Sequence, residues 1–246
     1  RIFRKLKVDP YDHSKHRGVI RYVLVRKSLK TNELMVVFIT RTSFLPNKDK
    51  IVYQLTTRHP AISTIIQNIN PERSNVILGK QERVLYGPGY IEDAIGGLDF
   101  TISSQSFYQV NPVQTEVLYQ QALDLAALTL DDMVLDAYCG VGTIALLAAR
   151  HARYVLGVEV VESAVKDAEE NALRNDIGNA EFLCVDAAEF MMKTEDSFQV
   201  VFLDPPRQGC SPAFLQALLK MKPSRVVYIS CEPSSLARDL AILQEL

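Results

Sequence analysis

The sequence predicts an α/β fold: a doubly wound parallel sheet over residues 98–246, preceded by a smaller α+β domain over 1–97. Three observations predict it. From residue 133 onward, short apolar runs alternate with helical patterns, as strands covered on both faces do. Near the start, two β-rich runs flank a polar turn and read as a hairpin. Between these regions, "GPGY" and "IGG" bring four of the eleven glycines into 87–97, a composition suited to a domain seam.

In the first region, 18–27 (GVIRYVLVRK) and 34–42 (LMVVFITRT) predict strands joined by "SLKTNE". Residues 60–69 carry isoleucines at helical spacing and predict a short helix. "SNVILG" and "ERVLYG" predict two further short strands. In the second region, Asn111 and Pro112 mark the start of a helix over roughly 112–128. Strands are then predicted at 133–137, 154–158, 181–185, 199–203 and 225–229. Helices follow at about 143–150, 162–174, 211–220 and 234–244.

Composition narrows the function classes. With 48% hydrophobic and 23% charged residues, the chain reads as an ordinary soluble globular protein. No run resembles a transmembrane span or a secretory signal. Cys139, Cys184, Cys210 and Cys231 form no CxxC pair, which points to reduced thiols in a cytoplasmic protein. It argues against a zinc or iron–sulfur site in this segment. The net charge of −2 hides an asymmetry: residues 1–30 hold ten Lys and Arg against two Asp. A basic end on an acidic body suits a nucleic-acid contact or a solvated edge hairpin.

Doubly wound sheets bind ligands beyond the carboxyl ends of their strands. The first strand ends in "DAYCGVGT" (136–143), where Gly140 and Gly142 allow a tight turn and close approach of a ligand. Glu159 ends the second strand, 17 residues after Gly142, placed to accept from ribose hydroxyls. This pattern serves a nicotinamide or a methyl-donor adenosine equally. Asp186 follows the third strand, as an acceptor for an amino group or as a helix N-cap. The fourth ends in Asp204-Pro205-Pro206-Arg207, a stiff lip without amide donors at the prolines. The fifth ends in "YISCEP", with the Cys231 thiol on the same rim. A packing cysteine has no reason to stand there, so Cys231 is the candidate nucleophile.

Together "FYQVNPVQ" (107–114), "DAYCGVGT", "GVE" (157–159), "DPPR" (204–207) and "SCEP" (230–233) resemble the S-adenosylmethionine-dependent RNA uracil-C5 methyltransferases. The resemblance spans about 100–245 in order and spacing, and "SNVILGKQERVLYG" looks most like the ribosomal branch. It implies a Rossmann-like class I methyltransferase domain that makes 5-methyluridine, in 23S rRNA by preference over tRNA. It also implies S-adenosyl-L-methionine contacts from Gln109, Tyr138, Gly140, Thr143, Glu159, Asp186 and Asp204, with Cys231 as nucleophile. Phe107 and Tyr108 would shape the base pocket. The family's C-terminal His-x-Glu base motif and N-terminal oligonucleotide-binding domain have no match here, so a truncated catalytic core is expected, with the base beyond Leu246. The competing readings are an RNA cytosine-C5 methyltransferase, which would want a cysteine where Asp204 stands, and a non-catalytic RNA-binding protein of the same fold.

Overall fold

The computed structural model describes residues 2–74, 76–109 and 111–244. Contacts divide the chain into two compact units: Arg1–Asp93 with Thr101–Gln105, and Ala94–Phe100 with Ser106–Leu246.

The first unit opens on one helical turn, α1 (Ile2–Lys5), followed by β1 (Ile20–Lys27) and β2 (Leu34–Thr40). These two pair antiparallel, as the turn chemistry between them predicts. α2 (Lys48–Arg58) then crosses so that β3 (Ile62–Ile69) lies parallel to β2, and β4 (Gln81–Tyr86) returns antiparallel. The sheet order is β1-β2-β3-β4. β2 is central and hides Met35 through Thr40 completely, which is why it reads as one apolar run. Its Val36 and Phe38 meet Leu45, Ile51 and Ile65 in the core.

The helix expected over 60–69 is a strand. Ile62, Ile65, Ile66 and Ile69 do fall at helical spacing, but β3 is covered on both faces, so its apolar residues need not alternate. The polar residues that suggest a solvent face are buried and satisfied. Gln67 Nε2 donates to Thr40 Oγ1 at 2.8 Å, and Arg83 Nε donates to Gln67 Oε1 at 2.8 Å. Asn68 exchanges two bonds with the backbone of Gly79. Of the expected "SNVILG" strand, 76–79 are not in a strand, and Asn75 lies outside the described residues. The carbonyls of Val76 and Ile77 accept from Asn70 Nδ2 at 2.8 and 3.0 Å instead. In the glycine-rich seam, β5 (Tyr90–Ile95) and β6 (Leu98–Ser103) form a two-stranded sheet. Gly96 and Gly97 join them at φ +58° and +74°, the left-handed pair that a two-residue hairpin turn requires. The division between the units runs through these strands.

In the second unit α3 (Pro112–Ala126) is capped by Asn111, whose side chain accepts from the Gln114 amide. The strands are β7 (Met133–Asp136), β8 (Tyr154–Glu159), β9 (Ala180–Cys184), β10 (Val200–Leu203) and β11 (Arg225–Tyr228). All are parallel, in the order β11-β10-β7-β8-β9. The helices are α4 (Thr143–Ala149), α5 (Glu162–Arg174), α6 (Ala187–Lys193), α7 (Pro212–Met221) and α8 (Pro233–Gln244). Alternate strand residues feed opposite layers. Val134, Val155, Val200 and Phe202 pack with α3, α4 and α5 residues such as Tyr119, Ile144 and Val165. Leu135, Leu156, Val201 and Leu203 pack with Met191 of α6 and Phe214 and Leu218 of α7. Each fully buried Leu or Phe contributes roughly 1.5–3 kcal/mol. The winding reverses between β7 and β10, where a ligand crevice opens beyond the strand ends. Among the described residues no helix is long and apolar enough to cross a membrane.

Candidate active site

The backbone ladder continues one residue past several strands. Ala137 N donates to Phe202 O at 3.1 Å, and Ile229 N to Leu203 O at 2.7 Å. Cys139 N donates to Val158 O and Val185 N to Glu159 O, each at 3.0 Å. The five ends therefore stay level. At about 4.8 Å between neighbours they form an edge roughly 19 Å long.

The loop after β7 is shaped by its glycines. Gly142 caps α4 at φ +82°, and a Cβ there would lie 3.0 Å from Phe182 Cζ and 3.1 Å from Ala168 Cβ. Gly140 also has positive φ, but a Cβ there would meet nothing within 4 Å, so this backbone faces open space. Gly140 N donates to Glu159 Oε2 at 3.2 Å, while Glu159 Oε1 accepts from the amides of Val160 and Val161, each at 2.9 Å. Three amides thus hold the Glu159 carboxylate at the end of β8. Thr143 is buried at the first turn of α4. Cys139 is buried as well, and burial pushes its thiol up, as suits a packing cysteine.

Between β7 and β10 lies a cluster that the sequence only partly displays. Asp136 is completely buried, and neither carboxylate oxygen has a hydrogen-bond partner. Burial, then the charge of Asp204, push its pKa up to about 7, although the amides of Tyr138 and Ala145 face it and temper the rise. Burial raises Asp204 to about 6. Tyr119 of α3 points its hydroxyl at this pair: burial first, then Asp204, drive its pKa up, while a hydrogen bond to Gln109 opposes them. Gln109, Tyr119, Asp136 and Asp204 thus come together at one acidic spot.

Tyr138 lies half-buried with its ring 5.7 Å from Phe214. Asp186 caps α6, its Oδ1 accepting from Ala188 N at 2.9 Å and Glu189 N at 3.0 Å. Phe107 is 68% exposed, which leaves its ring face available for stacking.

Cys231 is exposed in the short link between β11 and α8. Ser230 Oγ donates to Glu232 O at 3.0 Å and accepts from Glu232 N at 3.1 Å, which closes the link. The Glu232 carboxylate accepts from Ser234 Oγ at 2.9 Å, and these bonds, with Arg207 nearby, hold its pKa low. Glu232 is thereby engaged at the α8 N-terminus.

A family model described as tRNA (Uracil-5-)-methyltransferase matches residues 78–246. The chain belongs to this family. Among curated relatives of this uracil-5 methyltransferase family member, an uncharacterized RNA methyltransferase of Oceanobacillus iheyensis is 47% identical. The match covers 99% of this chain and 54% of that protein. One from Enterococcus faecalis is 48% identical over the same shares. The chain spans about half the length of these curated relatives. Among solved structures, the tRNA (uracil-54, C5)-methyltransferase of Pyrococcus abyssi, in complex with S-adenosyl-L-homocysteine, superposes with a TM-score of 0.79 at 27% identity. The superposition covers 98% of this chain and 57% of that one.

In this uracil-5 methyltransferase family member, the sequence-predicted Tyr138, Gly140, Thr143, Glu159, Asp186, Asp204 and Cys231 end or follow strands of the second unit, while Gln109 lies just before α3. Asp136 and Tyr119 join these residues in the fold. Asp136 carries a signal in the sequence, an acid closing an apolar strand; Tyr119, one aromatic in an amphipathic helix, carries none. Among the described residues no group of three or more His, Cys, Asp or Glu is placed to hold a metal ion.

Proposed function

We propose that this protein transfers a methyl group from S-adenosyl-L-methionine to C5 of a uridine in RNA through a covalent bond between Cys231 and C6. The observation that carries the reading is a shared edge. The buried Asp136 ends β7 and the exposed Cys231 thiol follows β11, both at carboxyl ends of strands in one parallel sheet. A cationic methyl donor fits there, because it would favour the ionised forms of Asp136 and Asp204, which pair with no Lys or Arg among the described residues. Glu159 would accept from the ribose, Asp186 and Tyr138 would flank the base, and Gly140 leaves room for close approach. When bound, S-adenosylmethionine supplies an electrophilic methyl group.

Uracil C5 is a weak nucleophile. The Cys231 thiolate adds to C6, and the π pair moves toward C5 and O4, giving an enolate whose C5 can take an alkyl group. After alkylation a base removes the C5 proton, the pair reforms the C5–C6 bond, and the C6–S bond breaks to return the thiolate. Glu232 is held as a helix cap and is not assigned as that base. The uracil must leave the RNA stack for its faces to be reached.

A second observation favours RNA. In the first unit the Arg21 guanidinium lies 5.2 Å from the Tyr11 ring and 6.0 Å from the Tyr22 ring, anchored by the carbonyls of Asn70 and Glu72. His16 has its pKa lowered by burial and by Arg73, Arg41 and Arg21 around it. Among the described residues none of these arginines pairs with a carboxylate. Arg21 is itself buried, so of these cations Arg41 and Arg73 are the ones left to meet phosphates. We favour 23S rRNA as the target. The test is transfer of a labelled methyl by the full-length protein to 23S rRNA and to tRNA, with the product mapped. Label as 5-methyluridine in 23S rRNA supports the proposal. Label in tRNA alone replaces the target, and label on cytosine overturns the chemistry.

A further inference from the structure

We infer that Asp239 is a positioning residue that holds the Cys231 link in register with the Asp204 loop. The inference rests on the proposed methyl transfer and concerns how its two halves are kept aligned.

Asp239 lies on α8, the helix that follows the thiol, and has no exposed surface. Its Oδ2 accepts from the Tyr228 hydroxyl at 2.7 Å and from the Cys210 amide at 2.7 Å. Its Oδ1 accepts from Arg238 Nε at 2.8 Å. Arg238 in turn donates to the carbonyls of Gln208 at 2.8 Å and Cys210 at 3.3 Å.

These partners come from both halves of the site. Tyr228 ends β11, three residues before Cys231. Gln208 and Cys210 close the loop that begins at Asp204-Pro205-Pro206, and Gly209 N donates back to Pro206 O at 2.8 Å within it. Gly209 has φ +76°, and a Cβ there would fall 2.5 Å from Asp239 Oδ2, so the loop lies directly on the carboxylate. One side chain therefore ties the strand before the thiol and the helix after it to the loop carrying Asp204.

Packing alone would not select this group, since burying a carboxylate is costly unless several donors meet it. What the donors add is direction. The bonds from Tyr228, Cys210 and Arg238 outweigh burial and keep Asp239 ionised, so all its acceptor sites stay available. Methyl transfer to a carbon needs reacting atoms placed to within a fraction of an ångström, and a 1 Å error costs on the order of 100-fold in rate.

The test uses the full-length protein with Asp239→Asn and the milder Tyr228→Phe. Single-turnover methyl transfer is expected to slow about 100-fold in the first and about 5-fold in the second. Cofactor Kd and RNA KM should stay within about 3-fold, a split that general destabilisation does not produce. Amide exchange should rise at 208–210 and 229–232 and remain unchanged in β7 and β8. Wild-type rates in both variants, or rate and cofactor affinity falling together, would overturn the inference. If the wild type itself transfers no methyl, the functional reading fails. The exchange pattern then decides on the lock alone: localised loss supports it, and unchanged exchange refutes it.

Discussion

Asp136→Asn should make the cofactor-free protein more stable at pH 8, while weakening the site. Asp136 is fully buried, with a pKa near 7 against 3.8 in the unfolded chain. Between those values the native state binds a proton that the unfolded state has lost, so stability falls as pH rises from about 4 to 7. The gap between 3.8 and about 7 corresponds to about 4 kcal/mol at pH 8, an upper bound because Asp204 shares the titration. Asparagine keeps the shape and removes the charge, but its amide gains no assured acceptor, which returns about 1–3 kcal/mol. The net gain is about 1–3 kcal/mol at pH 8, or roughly 3–9 °C in Tm, and it narrows by about 2–3 kcal/mol at pH 5. Thermal and urea unfolding at both pH values, without cofactor, measure it. A variant less stable than wild type at pH 8, or a difference independent of pH, would refute the reasoning.

Other outcomes follow from the same contacts. Because Asp136 and Asp204 titrate near 7 and 6, binding of S-adenosylmethionine should release protons and tighten by about 10-fold from pH 6 to 8. Calorimetry in buffers of different ionisation enthalpy reads both, and unchanged proton balance would contradict it. Gly142→Ala should cost about 1–3 kcal/mol, since its Cβ would press on Phe182 and Ala168 at a positive φ; denaturant midpoints decide. Gln67→Leu should cost about 1–3 kcal/mol by removing the acceptor of Arg83 Nε and the donor to buried Thr40 Oγ1, and a neutral result would count against the β3 assignment. Arg73→Glu should weaken RNA binding several-fold at low salt and little at high salt, as read by filter binding across a salt series.

The parallel sheet is legible in the sequence because each strand is short, apolar on both faces and closed by a distinctive residue. Asp136, Glu159 and Asp204 mark the rim by their places at the ends of apolar runs. β3 misleads for a related reason. A strand buried on both faces loses its alternation, and Thr64, Gln67 and Asn68 find partners only in distant residues. α2 escapes a pattern search because Ile51 alone among its residues is buried, so it shows no apolar stripe. α6 hides within the motif after Cys184; its seven residues hang on the Asp186 cap. Tyr119 and Asp239 belong to helices whose patterns signal packing. Their roles come from tertiary neighbours that sequence spacing does not display.

In the proposed reaction the Cys231 thiol attacks C6 of a uridine. Incubating the full-length protein and S-adenosylmethionine with RNA carrying 5-fluorouridine tests it directly, because fluorine at C5 blocks the final proton loss. The expected product is a denaturation-resistant protein–RNA adduct whose mass maps to the peptide containing Cys231, with none formed by Cys231→Ala. Methylation that survives Cys231→Ala, or an adduct at another residue, would contradict it.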